Sequence, residues 1–189
     1  MLRDTRGNAG SLRGFLLLTI AIGLSSCASL PQDVDRPESY TVVASKGHLA
    51  ELLDPFQDKH PGKSGFLPLN KGDKAFAARM AMAELAEETL AAQYFIWKHD
   101  DTGLLLAKAV LKAADRGVQV RLLLDDFESK GNKDWQLRVL DAHPNIELRI
   151  FTPFANRAGW TPFRRQGEFL FRAGRLNHRM HNKIFMVDG

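Results

Sequence analysis

The chain predicts an α/β fold, a mixed and largely parallel sheet with flanking helices. Three observations predict it. Short apolar runs suited to strands alternate with longer helical stretches from residue 73 to residue 187. A hydrophobic content of 44% beside a charged content of 25% is that of an ordinary globular chain. A length of 189 residues allows one domain with a single core.

The elements follow in order. Residues 48–57 read as a short helix, with Pro55 as a breaking point. Residues 73–88 read as an amphipathic helix, with Phe76, Met80, Ala83 and Glu87 on one stripe and many alanines to favour the helical state. Residues 90–97 read as a buried strand. A second helix is expected over 103–114, ended near Arg116-Gly117 by a glycine C-cap signal. Residues 118–124 make a second strand, 134–142 a third helix, 146–151 a third strand and 180–187 a fourth. In such sheets ligands gather at the carboxyl ends of strands. Asp125, Asp126 and the Asp100-Asp101 turn follow strand ends, where helix capping is the simpler use of a carboxylate, above all for Asp101 before Thr102-Gly103.

The start of the chain has a different composition. Arg3, Arg6 and Arg13 precede an apolar or small run from 14 to 24, too short for a comfortable membrane span of about 20 residues. This is the layout of a secretory signal peptide. Leu24-Ser25-Ser26-Cys27 resembles a bacterial lipobox, which implies a signal peptide over 1–26 and lipid modification of Cys27. Cys27 is the single cysteine, so no intramolecular disulfide can form. Ala28 after it, where an aspartate would resemble an inner-membrane retention signal, implies outer-membrane sorting in a bacterial envelope, facing the periplasm. A Pro- and acid-containing stretch over 29–39 reads as a tether, and residues 27–60 are taken as anchor and tether. The globular part is then 61–189. Removing residues 1–26 takes away three arginines and one aspartate, lowering the net charge from +4 to +2. So mild a charge does not mark a nucleic-acid binder.

The most specific chemistry lies in the last nine residues. His181 and Lys183 stand two apart on an expected strand, so their side chains share a face. An imidazole beside an ammonium can handle a phosphate: the lysine steadies charge on oxygen, and the histidine attacks phosphorus or moves a proton. Ile184, Met186 and Val187 supply the apolar content of a core strand, and Asp188-Gly189 reads as the turn that ends it.

His181, Lys183 and Asp188 together resemble the HxKxxxxD signature of the phospholipase D superfamily. The resemblance extends to about residue 66. Residues 85–90, Gln93-Tyr94-Phe95-Ile96-Trp97 and Asp100-Asp101-Thr102-Gly103 look like that family's opening helix, first strand and turn, and residues 116–126 resemble its second strand. Asn177-His178-Arg179-Met180-His181-Asn182-Lys183 is similar to the approach to the motif in bacterial cardiolipin synthases. The resemblance implies a phosphatidyltransferase working through a phosphohistidine without cofactor or metal. His181 would be the nucleophile, Lys183 the ligand of nonbridging oxygens, and Asp188 a shaper of the turn. A phospholipid such as phosphatidylglycerol would be the substrate. Members use two such motifs, and here there is one. The expectation is an N-terminal half, cut after the first motif, that needs a C-terminal half or a second subunit. A secreted nuclease or phospholipase of the same superfamily and an inactive lipoprotein remnant are the alternatives.

Residues 152–179 read as a long connection. They hold Arg157, Arg164, Arg165, Arg172, Arg175 and Arg179 against Glu168 alone, interleaved with Phe154, Trp160, Phe163, Phe169 and Phe171. Arginine forks suit phosphate oxygens and aromatic rings suit a lipid headgroup boundary. A solvated loop, or aromatics that pack on another part of the protein, would give the same pattern. His178 and His181 lack Cys or carboxylate partners at ligand spacing, so no metal site is expected.

Overall fold

The computed structural model describes residues 47–127, 134–155 and 162–189. The expected signal peptide, Cys27 and the 29–39 tether lie outside the described residues. The described elements are α1 (His48–Lys59), α2 (Gly72–Leu85), β1 (Thr89–Tyr94), α3 (Asp101–Asp115), β2 (Gln119–Asp125), α4 (Asp134–Asp141), β3 (Ile146–Phe151), α5 (Pro162–Leu176) and β4 (Lys183–Val187). The sheet order is β3-β2-β1-β4. β1 runs parallel to β2 and β2 parallel to β3, each joined by a crossover helix, while β4 returns antiparallel to β1. The expected mixed, largely parallel sheet with flanking helices is the observed architecture.

Burial alternates along the strands. Leu90 and Ala92 of β1, with Val120 and Leu122 of β2, are buried against Ala83 of α2 and Ala107, Val110, Ala113 and Ala114 of α3. The four alanines on the helices let them approach the strands closely. The strand expected over 90–97 is therefore buried on alternate residues, not throughout, and it stops at Tyr94. Tyr94 is the last residue of β1 that β4 can pair, opposite Lys183. β4 is likewise half inside. Phe185 and Val187 pack against the core, whereas Ile184 and Met186 are exposed, because a two-residue period sends them to the uncovered face.

Three helix boundaries differ from the sequence reading. α1 runs through Pro55 to Lys59 and buries none of its residues. Asp100, not Asp101, is the N-cap of α3: its Oδ1 accepts from the Gly103 amide at 2.9 Å and the Thr102 hydroxyl at 2.8 Å. A Cβ on Gly103 would stand 1.8 Å from the Lys98 carbonyl oxygen, so the turn requires glycine there. α2 ends at Leu85, where the Arg116 guanidinium donates to the carbonyls of Ala83, Glu84 and Ala86. The largest difference is α5, fifteen residues of helix in the expected connection, with a kink at Arg172.

Candidate active site

β4 sits at an edge of the sheet, and the His-x-Lys pair lies where it begins. His181 precedes the strand and Lys183 is its first residue. Both side chains are exposed, and Lys183 Nζ lies 3.4 Å from His181 Nδ1 and donates to the His181 carbonyl at 3.2 Å. The two-residue spacing thus brings imidazole and ammonium into contact even though only one of them is in the ladder. Asn182, pointing the other way, donates to Gln93 Oε1 at 2.9 Å and ties the start of β4 to β1.

Two carboxylates fix the chain on either side of this pair. Asp125, buried at the carboxyl end of β2, receives the Arg179 guanidinium on Oδ1 at 3.1 Å and the Met180 amide on Oδ2 at 3.0 Å. It also takes the Phe127 amide at 2.8 Å. The Arg179 guanidinium lies over the Phe127 and Phe154 rings, at 5.5 and 5.1 Å from their centroids. Phe127 stacks on Phe95, and Phe95 meets the His181 ring at 4.9 Å. A continuous line of rings therefore joins the buried ion pair to the imidazole. Asp126 accepts from the Phe154 amide at 2.7 Å and holds the floor of this stack.

After the strand, Asp188 accepts from three successive amides at the entry to β1: Glu87 at 3.0 Å, Glu88 at 2.9 Å and Thr89 at 2.9 Å. Its own amide donates to the Thr89 carbonyl at 3.0 Å, and its φ is 50°. Asp188 lies at the far end of β4 from His181, so its part is to fasten the strand.

Across the ladder from Lys183, Tyr94 borders a cleft of about 290 Å³ that Phe76, Arg79, Trp97 and Lys98 also line. Burial pushes the Tyr94 hydroxyl above its ordinary pKa, with the neighbouring Arg79 guanidinium pulling the other way. His178 is turned back onto α5, its Nδ1 2.6 Å from the Gly174 carbonyl oxygen. Among the described residues no three His, Cys, Asp or Glu side chains gather as a metal site. No described helix is long and apolar enough to cross a membrane.

The sequence reading named His181, Lys183 and Asp188 and did not connect Asp125 or Phe95 to them. In the sequence Asp125 reads only as a strand-end aspartate for which helix capping is the simpler use, and it holds Arg179 and Met180 instead. Its partners lie 54 and 55 residues further on, out of reach of any local pattern.

The α/β lobe thus carries an exposed His-x-Lys pair at the start of an antiparallel edge strand, followed by a strand-ending aspartate. The chain belongs to the phospholipase D superfamily and is cardiolipin-synthase-like. It is 50% identical over 141 residues to cardiolipin synthase C of Escherichia coli, a match that covers 75% of this chain and 28% of the relative. It is 34% identical over 119 residues to cardiolipin synthase A of Pseudomonas entomophila, covering 62% and 22%. It is 31% identical over 120 residues to cardiolipin synthase B of Escherichia coli, covering 64% and 26%. The chain thus spans little more than a quarter of the length of these relatives at most. No protein-family model matches it.

Proposed function

We propose that the chain carries one of the two phosphate-handling motifs of a phosphatidyltransferase of cardiolipin-synthase type. The contact between His181 and Lys183, with the chain fastened before and after it, is the observation that carries this reading. An imidazole nitrogen of His181 attacks the phosphorus of a phospholipid such as phosphatidylglycerol. A phosphorus–nitrogen bond forms as the bond to the leaving glycerol oxygen breaks. Lys183 steadies the charge on the nonbridging oxygens. A glycerol hydroxyl of a second phosphatidylglycerol then attacks phosphorus and frees His181, giving cardiolipin. The leaving alcohol gains a proton and the attacking one loses it through a second histidine, which a further part of the protein or a second subunit supplies. Asp188 fastens the strand and takes no part in bond making. The N-terminal segment, with Cys27 lipidated, would keep the protein at the outer membrane of the bacterial envelope.

The test is conversion of phosphatidylglycerol to cardiolipin, assayed beside phosphodiester hydrolysis, on this chain and on a longer form with a second His-x-Lys pair. His181→Ala lowers transfer by roughly a thousandfold or more, and Lys183→Ala by about a hundredfold or more. Activity that disappears in chelator and returns with zinc would overturn the phosphohistidine route.

A further inference from the structure

We propose that α5 docks on the surface of an anionic phospholipid bilayer, with Phe169, Leu170 and Phe171 entering the headgroup boundary. This goes beyond the transfer reaction and does not depend on it. Three observations carry the proposal.

The first is exposure. Leu170 and Phe171 are 78% and 81% exposed and Phe169 is 43% exposed. Consecutive helical residues are 100° apart, so three in a row span a broad arc that no single stripe of a core would take. The second is how the helix is fastened. Among the described residues, its side-chain hydrogen bonds to the lobe come from Glu168 and Arg175, outside the 169–171 run. Arg175 donates to the Pro153 carbonyl at 3.0 Å and to Glu168 at 2.9 Å, and the Glu168 carboxylate also takes the Ala155 amide. Leu176 is buried at the helix end. The apolar arc is thus left outward by a helix that is itself anchored.

The third is charge. α5 carries Arg164, Arg165, Arg172 and Arg175 against Glu168 alone. Glu168 is engaged inward with Arg175, so the remaining balance of the helix is positive. Basic residues interleaved with Phe and Leu on one helix suit a bilayer interface, where the rings sit at headgroup depth and the cations meet lipid phosphates. The helix also leads straight into the motif, from Leu176 to His181. A lipid surface under α5 would lie beside the residues that handle phosphate.

The test uses the full chain with Cys27→Ser and Leu170→Cys, the new thiol carrying an environment-sensitive fluorophore. Vesicles of phosphatidylglycerol with phosphatidylcholine should shift its emission to the blue, and spin-labelled lipids should quench it. Pure phosphatidylcholine should do neither. Salt at about 1 M, which confines charge attraction to about 3 Å, should weaken the effect. In the unlabelled chain, Leu170→Ser with Phe171→Ser should lower vesicle partition about tenfold or more with the circular dichroism unchanged. An unquenched label on a vesicle-bound chain would overturn the proposal, as would equal partition of the double variant. A label shielded without lipid, in step with self-association, would assign the face to a second copy instead. Because partition is read without turnover, loss of docking and loss of transfer are separate results.

Discussion

Asp125 and Asp188 do the same work by different physics. Each is a carboxylate that pins one end of the motif segment to the sheet. Asp125 is buried and holds a guanidinium that is itself nearly buried, so its value lies in charge that water cannot replace. Asp188 is only partly covered and accepts from three amides, so its value lies in saturating donors at the start of a strand. The first grip is costly to break from one side, and the second loosens in steps.

The sharpest way to break the comparison is Asp125→Ala. It strands Arg179 without its partner and should destabilise the lobe by about 3–5 kcal/mol in urea unfolding. Adding Arg179→Met should recover much of that loss, since the stranded charge goes with it. If the double variant is as unstable as Asp125→Ala, the cost lies in the orphaned Met180 and Phe127 amides and not in the stranded charge. Asp188→Ala should cost about 2 kcal/mol in the same measurement. Asp188→Asn should cost less, because Asn still accepts from an amide and tolerates the positive φ. Equal losses would show that the negative charge, not the acceptor geometry, does the fastening.

The smallest effect belongs to Asp100, a fully exposed cap that works without burial. The Gly103 amide, with the Thr102 hydroxyl, holds its carboxyl below the ordinary aspartate range. A folded pKa below the unfolded one gives stability that is complete above the unfolded value and lost as pH falls through the folded value. Asp100→Asn, which still caps, should flatten that acid limb of the stability profile and change little at neutral pH.

Much of the lobe was legible because its signals are local. The alanines of α2, the Arg116-Gly117 stop of α3 and the strand runs each state their own structure, whereas of the stripe expected on α2 only Ala83 is buried and Glu87 lies beyond the helix end. The cap was placed one residue late because Asp100 and Asp101 stand side by side, and only geometry shows which of them reaches Gly103. α5 escaped notice for a physical reason. Gly167 and Gly174 lower its helix propensity, and although its apolar residues do recur on a helical period, Leu170 and Phe171 face outward, away from the core. His181 and Lys183 could be paired from spacing alone. Their supports could not, since Asp125, Phe95 and Phe127 come to them through the tertiary fold.

The pinning of the motif on both sides also separates chemistry from chain length. Among the described residues between β3 and the motif, Arg179 and Met180 are held by Asp125 at the end of β2, with the Phe154 ring against the Arg179 guanidinium. Loop closure depends on the logarithm of length, so doubling a connection costs only about 0.6 kcal/mol. The segment that holds α5 can therefore be lengthened, shortened or rewritten while the imidazole and the ammonium keep their places. It is the modular part of the lobe, where relatives sharing one reaction centre can diverge in the surface they present.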